Sequence, residues 1–174
     1  MTWVNQSDST PQGSSTQTAN TVASGPVSGG AAAPTYRALV AADIPATWTT
    51  PAFNAANFTA FLTMTWTVAI GNVVNVEYTV IGKQMTLIFV IGNTTIGGTP
   101  SAQLRMAVPG GFTIAKASYN TVNIRENGVR MVGMAEASAG LTFISFYRDV
   151  AIATNWTLSA GNADMYGQIT FEVV

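Results

Sequence analysis

The amino-acid sequence predicts an all-β protein, an antiparallel β-sandwich head of jelly-roll type preceded by an extended N-terminal arm. Three observations lead to this class. Strand-like periodicity recurs from about residue 62 onward, glycine- or asparagine-containing turns separate the strand-like segments, and residues 1–35 form a low-complexity stretch in which Asp8 is the single charge. Roughly eight short strands with turns between them, and no long amphipathic helix, are typical of sandwiches and barrels. We place the arm at residues 1–50 and the head at residues 51–174.

The first strands of the head are predicted from two kinds of pattern. Residues 74–80 alternate apolar and polar side chains, which indicates a strand with one solvated face. After a turn at Gly82, residues 85–91 are almost continuously apolar, which predicts a strand covered on both sides. We expect a loop at 92–100 and a short strand at 104–108 that ends at a Pro-Gly-Gly turn.

The second half of the head contains the clearest hairpin signal. Asn127-Gly128 lies between strand-like segments at 119–125 and 129–135, and this dipeptide favours the turn that joins two antiparallel strands. Another strand is predicted at 141–148. The last one, at 168–174, places Ile169, Phe171 and Val173 on one face.

Between arm and head lies a short apolar segment that ends at a proline. Tyr36, Leu39 and Val40 have the spacing of one face of a helical turn, and Pro45 stops any helix by residue 44. Two turns of helix are not stable alone. Either three copies pack Tyr36, Leu39, Val40 and Ile44 together in a trimer, or the segment is a linker tucked against the head.

The composition excludes several classes of function. Charged residues make up 9% of the chain, its net charge is −1, and the seven basic residues are scattered, so we expect no nucleic-acid partner. Histidine and cysteine are absent, which removes the nucleophile arrangements and metal sites that require them. The apolar stretches are interrupted before they reach the length of a membrane span, so we expect no membrane insertion. We predict no cofactor and no bound metal.

The acidic residues of the head give no catalytic pattern. Six carboxylates are distributed over it with no close pair in sequence: Glu77, Glu126, Glu136, Asp149, Asp164 and Glu172. Acid–base catalysis generally needs a positioned pair or one tuned group. We therefore predict that the protein is not an enzyme, that Glu126 is a solvated turn residue, and that Asp149 and Asp164 lie in loops without the spacing of a calcium site.

One polar loop combines aromatic and hydrogen-bonding residues. Asn155 and Trp156 precede it, and Asp164 and Tyr166 end it. An exposed ring beside amides and carboxylates is the usual surface for a sugar, because the ring covers the apolar sugar face. These four residues are the candidate receptor or glycan contact. The alternative is that the rings pack beneath the loop.

Residues 19–45 carry a recognisable signature, ANTVASGPVSGGAAAPTYRALVAADIP. The segment resembles a module of bacteriophage tail-fibre and other virion-fibre proteins, in which Asn-Thr-Val, Gly-Pro, Pro-Thr-aromatic-Arg and Asp-Ile-Pro occur in this order before a variable β-rich domain. The resemblance implies a homotrimeric virion appendage that is assembled in the host cytoplasm. Residues 1–35 would attach it to other virion structural proteins, and the head would face outward.

The resemblance leaves the place and task of the appendage open. The leading hypothesis is a fibre that presents its head for host-surface attachment, with a cell-surface glycan as a candidate partner. The alternative is a capsid decoration or head-fibre protein with a mainly structural role. A third hypothesis, a polysaccharide depolymerase, would require catalytic carboxylates that the sequence does not single out.

Overall fold

The protein consists of two compact units, Met1–Pro45 and Ala46–Val174. The structure, a computed structural model, describes residues 21–24, 30, 35–38 and 47–174. Within these ranges, no helix is long and apolar enough to cross a membrane.

The first unit contains a small antiparallel ribbon. Strand β1 (Thr21–Ser24) pairs with β2 (Thr35–Ala38), and Ala23 lies opposite Tyr36. The helical turn predicted to include Tyr36 is therefore wrong at that residue, because Tyr36 is in a strand whose backbone is paired across the ribbon. Leu39, Val40 and Ile44 lie outside the described residues, and their packing in a trimer stays a prediction.

The second unit is the head, and its strands confirm the all-β, antiparallel prediction. It contains β3 (Phe58–Ala60), β4 (Met64–Thr67), β5 (Val73–Ile81), β6 (Gln84–Gly98), β7 (Leu104–Ala107), β8 (Ser118–Glu126), β9 (Val129–Ala137), β10 (Phe143–Tyr147) and β11 (Ser159–Glu172). The helical segments of the head are single 3₁₀ turns at Ala55–Asn57, Ile70–Asn72 and Pro109–Gly111.

The nine strands form one antiparallel sheet that is nearly closed into a barrel. Its order is β3-β7-β10-β9-β8-β11-β6-β4. β5 pairs with the same edge of β6 as β4 does, but along the first half of that strand, whereas β4 pairs with its last residues. The end strands β3 and β4 lie against each other. Closure removes most of the exposed strand edges that an open sheet would leave for aggregation.

Two strands are longer than the sequence predicted. The loop expected at 92–100 is instead the second half of β6, and β11 begins at Ser159 rather than near residue 168. The two strands pair along most of their length, with irregular register near Ala163. Asn93 adopts a left-handed backbone conformation at this point, with φ of 57°. A bulge of this kind lets a strand bend and continue, which the local sequence does not reveal.

The predicted hairpin at Asn127-Gly128 is confirmed. β8 and β9 pair in unbroken register from Ser118 opposite Ala137 to Glu126 opposite Val129. Asn127 and Gly128 have φ of 49° and 85°, as the two-residue turn requires.

The core fills the barrel from alternate positions of each strand. Met85, Leu87, Phe89 and Ile91 of β6 are fully buried, whereas the residues between them are only partly buried. β6 is therefore fully covered on its inner side and only partly covered on its outer side, which is less than the sequence predicted. Burial of each such large side chain stabilises the fold by about 1.5–3 kcal/mol.

The aromatic residues of the strands divide into two groups by burial. Trp66, Phe89 and Phe171 are buried, whereas Tyr78 and Phe143 are partly exposed.

Candidate functional site

The connections at one end of the barrel form the candidate site. We call this the loop end; it comprises residues 61–63, 99–103, 127–128 and 148–158, which alternate strand directions bring to the same side. The longest of these connections, residues 148–158, is irregular and pairs with no strand. Its backbone groups therefore need partners other than a ladder.

A buried carboxylate ties this loop to the hairpin. Glu126, at the end of β8, is 2% exposed, and its Oε2 lies 2.5 Å from Nε of Arg148. Its Oε1 accepts a hydrogen bond of 2.6 Å from the amide of Thr157. The prediction of a solvated Glu126 is wrong, since both of its oxygens bind groups at opposite ends of the loop.

The hairpin turn itself holds the same loop. The side-chain amide of Asn127 donates to Oγ1 of Thr157 and to the carbonyl of Leu158, each at 3.0 Å. Its backbone amide donates to the carbonyl of Asn162 at 3.0 Å. Asn127 thus forms the turn and also anchors the C-terminal part of the loop.

A second carboxylate organises the first half of the loop from within. Asp149 accepts hydrogen bonds from the amides of Ala151, Ala153 and Thr154, at 2.8, 3.3 and 2.8 Å. A hydrogen bond from the Thr154 side chain, together with these amides, outweighs desolvation and lowers the pKa of Asp149 below its usual value. Asp149 lies in the loop as predicted, and its oxygens face the loop backbone.

Trp156 is the hydrophobic anchor of the loop. Its side chain is fully buried, its indole Nε1 donates to the carbonyl of Phe146 at 3.1 Å, and its amide donates to the carbonyl of Ser101 at 2.9 Å. The prediction of an exposed ring at Trp156 is wrong, and the alternative of packing beneath the loop is correct. The large apolar ring is buried, and its N–H has a partner.

Asp164 and Tyr166 were predicted at the end of a loop, but both lie in β11. Asp164 is fully buried, its Oδ2 lies 2.5 Å from Nε of Arg125, and the same oxygen accepts a hydrogen bond from the Tyr166 hydroxyl. Its Oδ1 accepts the amide of Asn93 at 2.8 Å. Burial raises the pKa of Asp164, but the hydrogen bonds from Arg125, Tyr166 and Asn93 outweigh it, and the net pKa is lowered. This cluster supports the bulge in β6.

The exposed residues of the loop are mainly apolar. Of the four predicted contact residues, Asn155 is exposed, Tyr166 is half-buried, and Trp156 and Asp164 are buried. Val150, Ile152 and Leu158 are exposed, and Ile152 has a left-handed backbone with φ of 57°. The sequence pattern missed Glu126 and Asn127 as determinants of the loop. No sequence signal pointed to Glu126, because its partners Arg148 and Thr157 are distant from it in the chain.

Comparison with known proteins gives no match to a family model, to a curated protein or to a solved structure. In the described ranges, acidic residues do not gather into a group of three or more that could hold a metal ion.

Proposed function

We propose that the chain is a non-enzymatic structural fibre protein of a bacteriophage virion, attached through residues 1–35 to other virion proteins. Its head, as a homotrimer, presents the loop end for attachment to the host surface. The observation that carries the proposal is the loop at 148–158, whose backbone is fixed by carboxylates while apolar side chains point outward. The signature at residues 19–45 is the sequence argument for the virion.

A fixed loop favours recognition because binding then costs less conformational entropy. Asp149 and Glu126 together accept hydrogen bonds from four amides of this loop. Val150, Ile152 and Leu158 stay exposed on this frame. Apolar groups that a rigid loop holds in water favour binding, because a partner that covers them removes their surface from water.

The surface of the head also supports the homotrimer. Large apolar side chains remain exposed at many places besides the loop, with Leu62, Ile70 and Val74 more than 70% exposed. With 9% charged residues, the chain has few groups to keep such a surface hydrated. Subunit contacts would bury part of this apolar surface.

The proposal includes the jelly-roll-like sandwich, as a flattened form of the barrel. Phe89 of β6 and Phe146 of β10 come from strands that are not neighbours in the sheet, yet their ring centroids lie 5.0 Å apart. The ring centroids of Trp66 of β4 and Phe146 lie 6.2 Å apart. Such ring contacts across the interior favour a flattened barrel, in which two opposite parts of the sheet pack face to face as in a sandwich.

The test combines size, location and adsorption. Light scattering of the purified full chain should give three times the chain mass, and gold-labelled antibody should mark the particle. Purified protein added to host cells should block adsorption of the phage, and Ile152→Asp should weaken this block at least tenfold. The matched control is Ile81→Asp, the same change at an exposed residue of the opposite end.

Each part of the proposal can fail separately. A monomer overturns the trimer, and unmarked particles overturn the virion assignment. Marked particles whose adsorption the protein does not block would overturn host attachment and favour capsid decoration. Shortened host glycans after incubation with the protein would overturn the non-enzymatic assignment.

A further inference from the structure

A second surface lies on the outside of the barrel and runs from the loop end toward the opposite end. We call it the network face; it consists of Phe61, Gln103, Arg105, Tyr119, Glu136, Ser138, Phe143 and Tyr147. Register places Arg105 of β7 opposite Ser145 of β10, Ser145 opposite Glu136 of β9, and Glu136 opposite Tyr119 of β8. These side chains therefore form one row across four strands, because paired residues point to the same side of a sheet.

Hydrogen bonds link the polar members of the face into one chain. Arg105 donates from Nε and Nη2 to Oε1 of Gln103, at 3.1 and 2.7 Å, and Gln103 donates to the Tyr147 hydroxyl at 2.7 Å. Tyr147 donates to Oε2 of Glu136 at 2.6 Å, and Ser138 donates to Oε1 at 2.7 Å. The orientation of each group is thereby fixed before any ligand arrives.

Burial and the neighbouring carboxylate both affect the phenol at the centre of this chain. Desolvation, followed by the hydrogen bond to Glu136, raises the pKa of Tyr147 to about 12. Tyr147 therefore stays a hydrogen-bond donor throughout the neutral range.

Arg105 is a cation without a carboxylate partner in the described part of the chain. The ion pairs found there use Lys116, Arg125 and Arg148. The Arg105 guanidinium carbon instead lies 4.8 Å from the ring centroid of Phe61 and 4.5 Å from that of Phe143. These ring contacts hold the guanidinium plane. Its Nη1 donates no hydrogen bond to any described residue, so this edge is available to an anion.

Two rings of the face are open to solvent. Tyr119 is 58% exposed and Phe61 is 38% exposed. Tyr119 and Arg105 are separated by three strand spacings, or about 14 Å, which is a span for several linked sugar rings. The carboxylate of Glu136 lies between them and can accept hydrogen bonds from hydroxyl groups.

We propose that the network face binds a carboxylate-bearing oligosaccharide. The sugar carboxylate pairs with the free edge of Arg105, one sugar ring covers Tyr119, and sugar hydroxyls donate to Glu136. A planar guanidinium favours carboxylate, because two parallel N–H groups match its two oxygens. This inference rests on the proposed host attachment and adds to the loop end a second contact surface with a stated ligand class.

The test needs only the purified full chain and two defined probes. Calorimetric titration should detect binding of an oligogalacturonate and at least tenfold weaker binding of the neutral galactose oligomer of equal length. Arg105→Gln should weaken uronate binding at least tenfold, and Tyr119→Ser should weaken binding of both probes. The matched control is Arg130→Gln, which removes an exposed arginine charge away from the network face.

Folding of each variant is checked by its circular dichroism and denaturation midpoint. Arg105→Lys provides a second variant, which keeps the charge and should still lose most of the preference for the uronate. Equal binding of both probes, unchanged binding by a folded Arg105→Gln, or no uronate binding at millimolar concentration would overturn the inference. If Arg105→Gln still blocks phage adsorption fully, the inference fails while the proposed function stands.

Discussion

The two ends of the head hold irregular backbone in different ways. At the loop end, the carboxylates of Glu126 and Asp149 accept hydrogen bonds from loop amides. The opposite end, which we call the C-terminal end, comprises the turn at 82–83, residues 108–117, the turn at 138–142 and the C-terminus. There the partners are mainly backbone: Ala115 donates to the carbonyl of Glu172 at 2.7 Å, and Val173 donates to that of Lys83 at 2.8 Å.

This difference shows where the chain depends on particular side chains. Backbone pairing at the C-terminal end tolerates many sequences, because every residue except proline supplies one donor and one acceptor. A loop that follows no ladder needs acceptors from side chains, and one carboxylate can accept several N–H groups. The loop end therefore depends on the carboxylates of Glu126 and Asp149, and its shape is specified by few residues.

Removal of the Glu126 carboxylate should have the largest effect. Glu126→Leu leaves the Arg148 charge and the Thr157 amide without their partner, and we expect a loss of about 3 kcal/mol in the free energy of unfolding. Urea denaturation measures this loss. Addition of Arg148→Met should recover part of it, because the unpaired charge is then gone.

The matched control for this prediction lies at the C-terminal end. Lys116 and Glu172 form an ion pair of 2.6 Å, but the Lys116 side chain is 75% exposed. Lys116→Ala should leave the denaturation midpoint unchanged, because exposed pairs contribute little. An equal loss in both variants would contradict the contrast between the ends.

Acidification should weaken the bulge in β6 through Asp164. The pKa of this carboxyl is lowered in the folded state, so its stabilisation is present above the unfolded pKa, near 4, and is lost as the pH falls through the folded value. Asp164→Asn should cost about 2 kcal/mol at neutral pH, because the hydrogen bonds of Asp164 are made to a charged carboxylate. The gap between wild type and variant should begin to narrow below about pH 4, where the unfolded wild-type chain takes up the proton, and should close as the pH falls through the lower folded pKa. Denaturation midpoints of wild type and variant, at neutral pH and below pH 4, measure this difference in stability. A difference that does not change with pH would contradict the role of the Asp164 carboxylate.

A smaller and local effect is expected from Asp149→Ala. The amides of Ala151 and Thr154 lose their acceptor, and their hydrogen exchange should accelerate about tenfold or more, whereas exchange in the β8–β9 hairpin stays unchanged. Exchange followed by nuclear magnetic resonance measures both. Protection that survives in the loop would show that Trp156 alone maintains its shape.

The sequence predicted the strands whose signals are local and missed the features that depend on distant contacts. Alternation identified β5, and Asn127-Gly128 identified the β8–β9 hairpin. The second half of β6 looked like a loop because glycine, asparagine and threonine dominate it. It is held as a strand by pairing with β11 and by Asp164, which is 71 residues away from Asn93.

The same limit applies to the candidate site. The sequence directed attention to the loop around Asn155 and Trp156, which is at the loop end. It could not tell which side of the loop Trp156 occupies, because burial is decided by Phe146 of β10 and by Ser101 in the connection between β6 and β7. It also gave no sign that Arg105 lies against two rings, since Phe61 and Phe143 are far from it in sequence.

The backbone of Ile152 has a consequence for how the loop could evolve. A β-branched residue in the left-handed region is strained by about 1–3 kcal/mol, and glycine would relieve this strain. Ile152→Gly would therefore stabilise the loop and delete one of its exposed apolar groups. Random variants of this loop selected for heat resistance should replace isoleucine at 152. Variants selected for adhesion should keep it, so the two selections should diverge at this position.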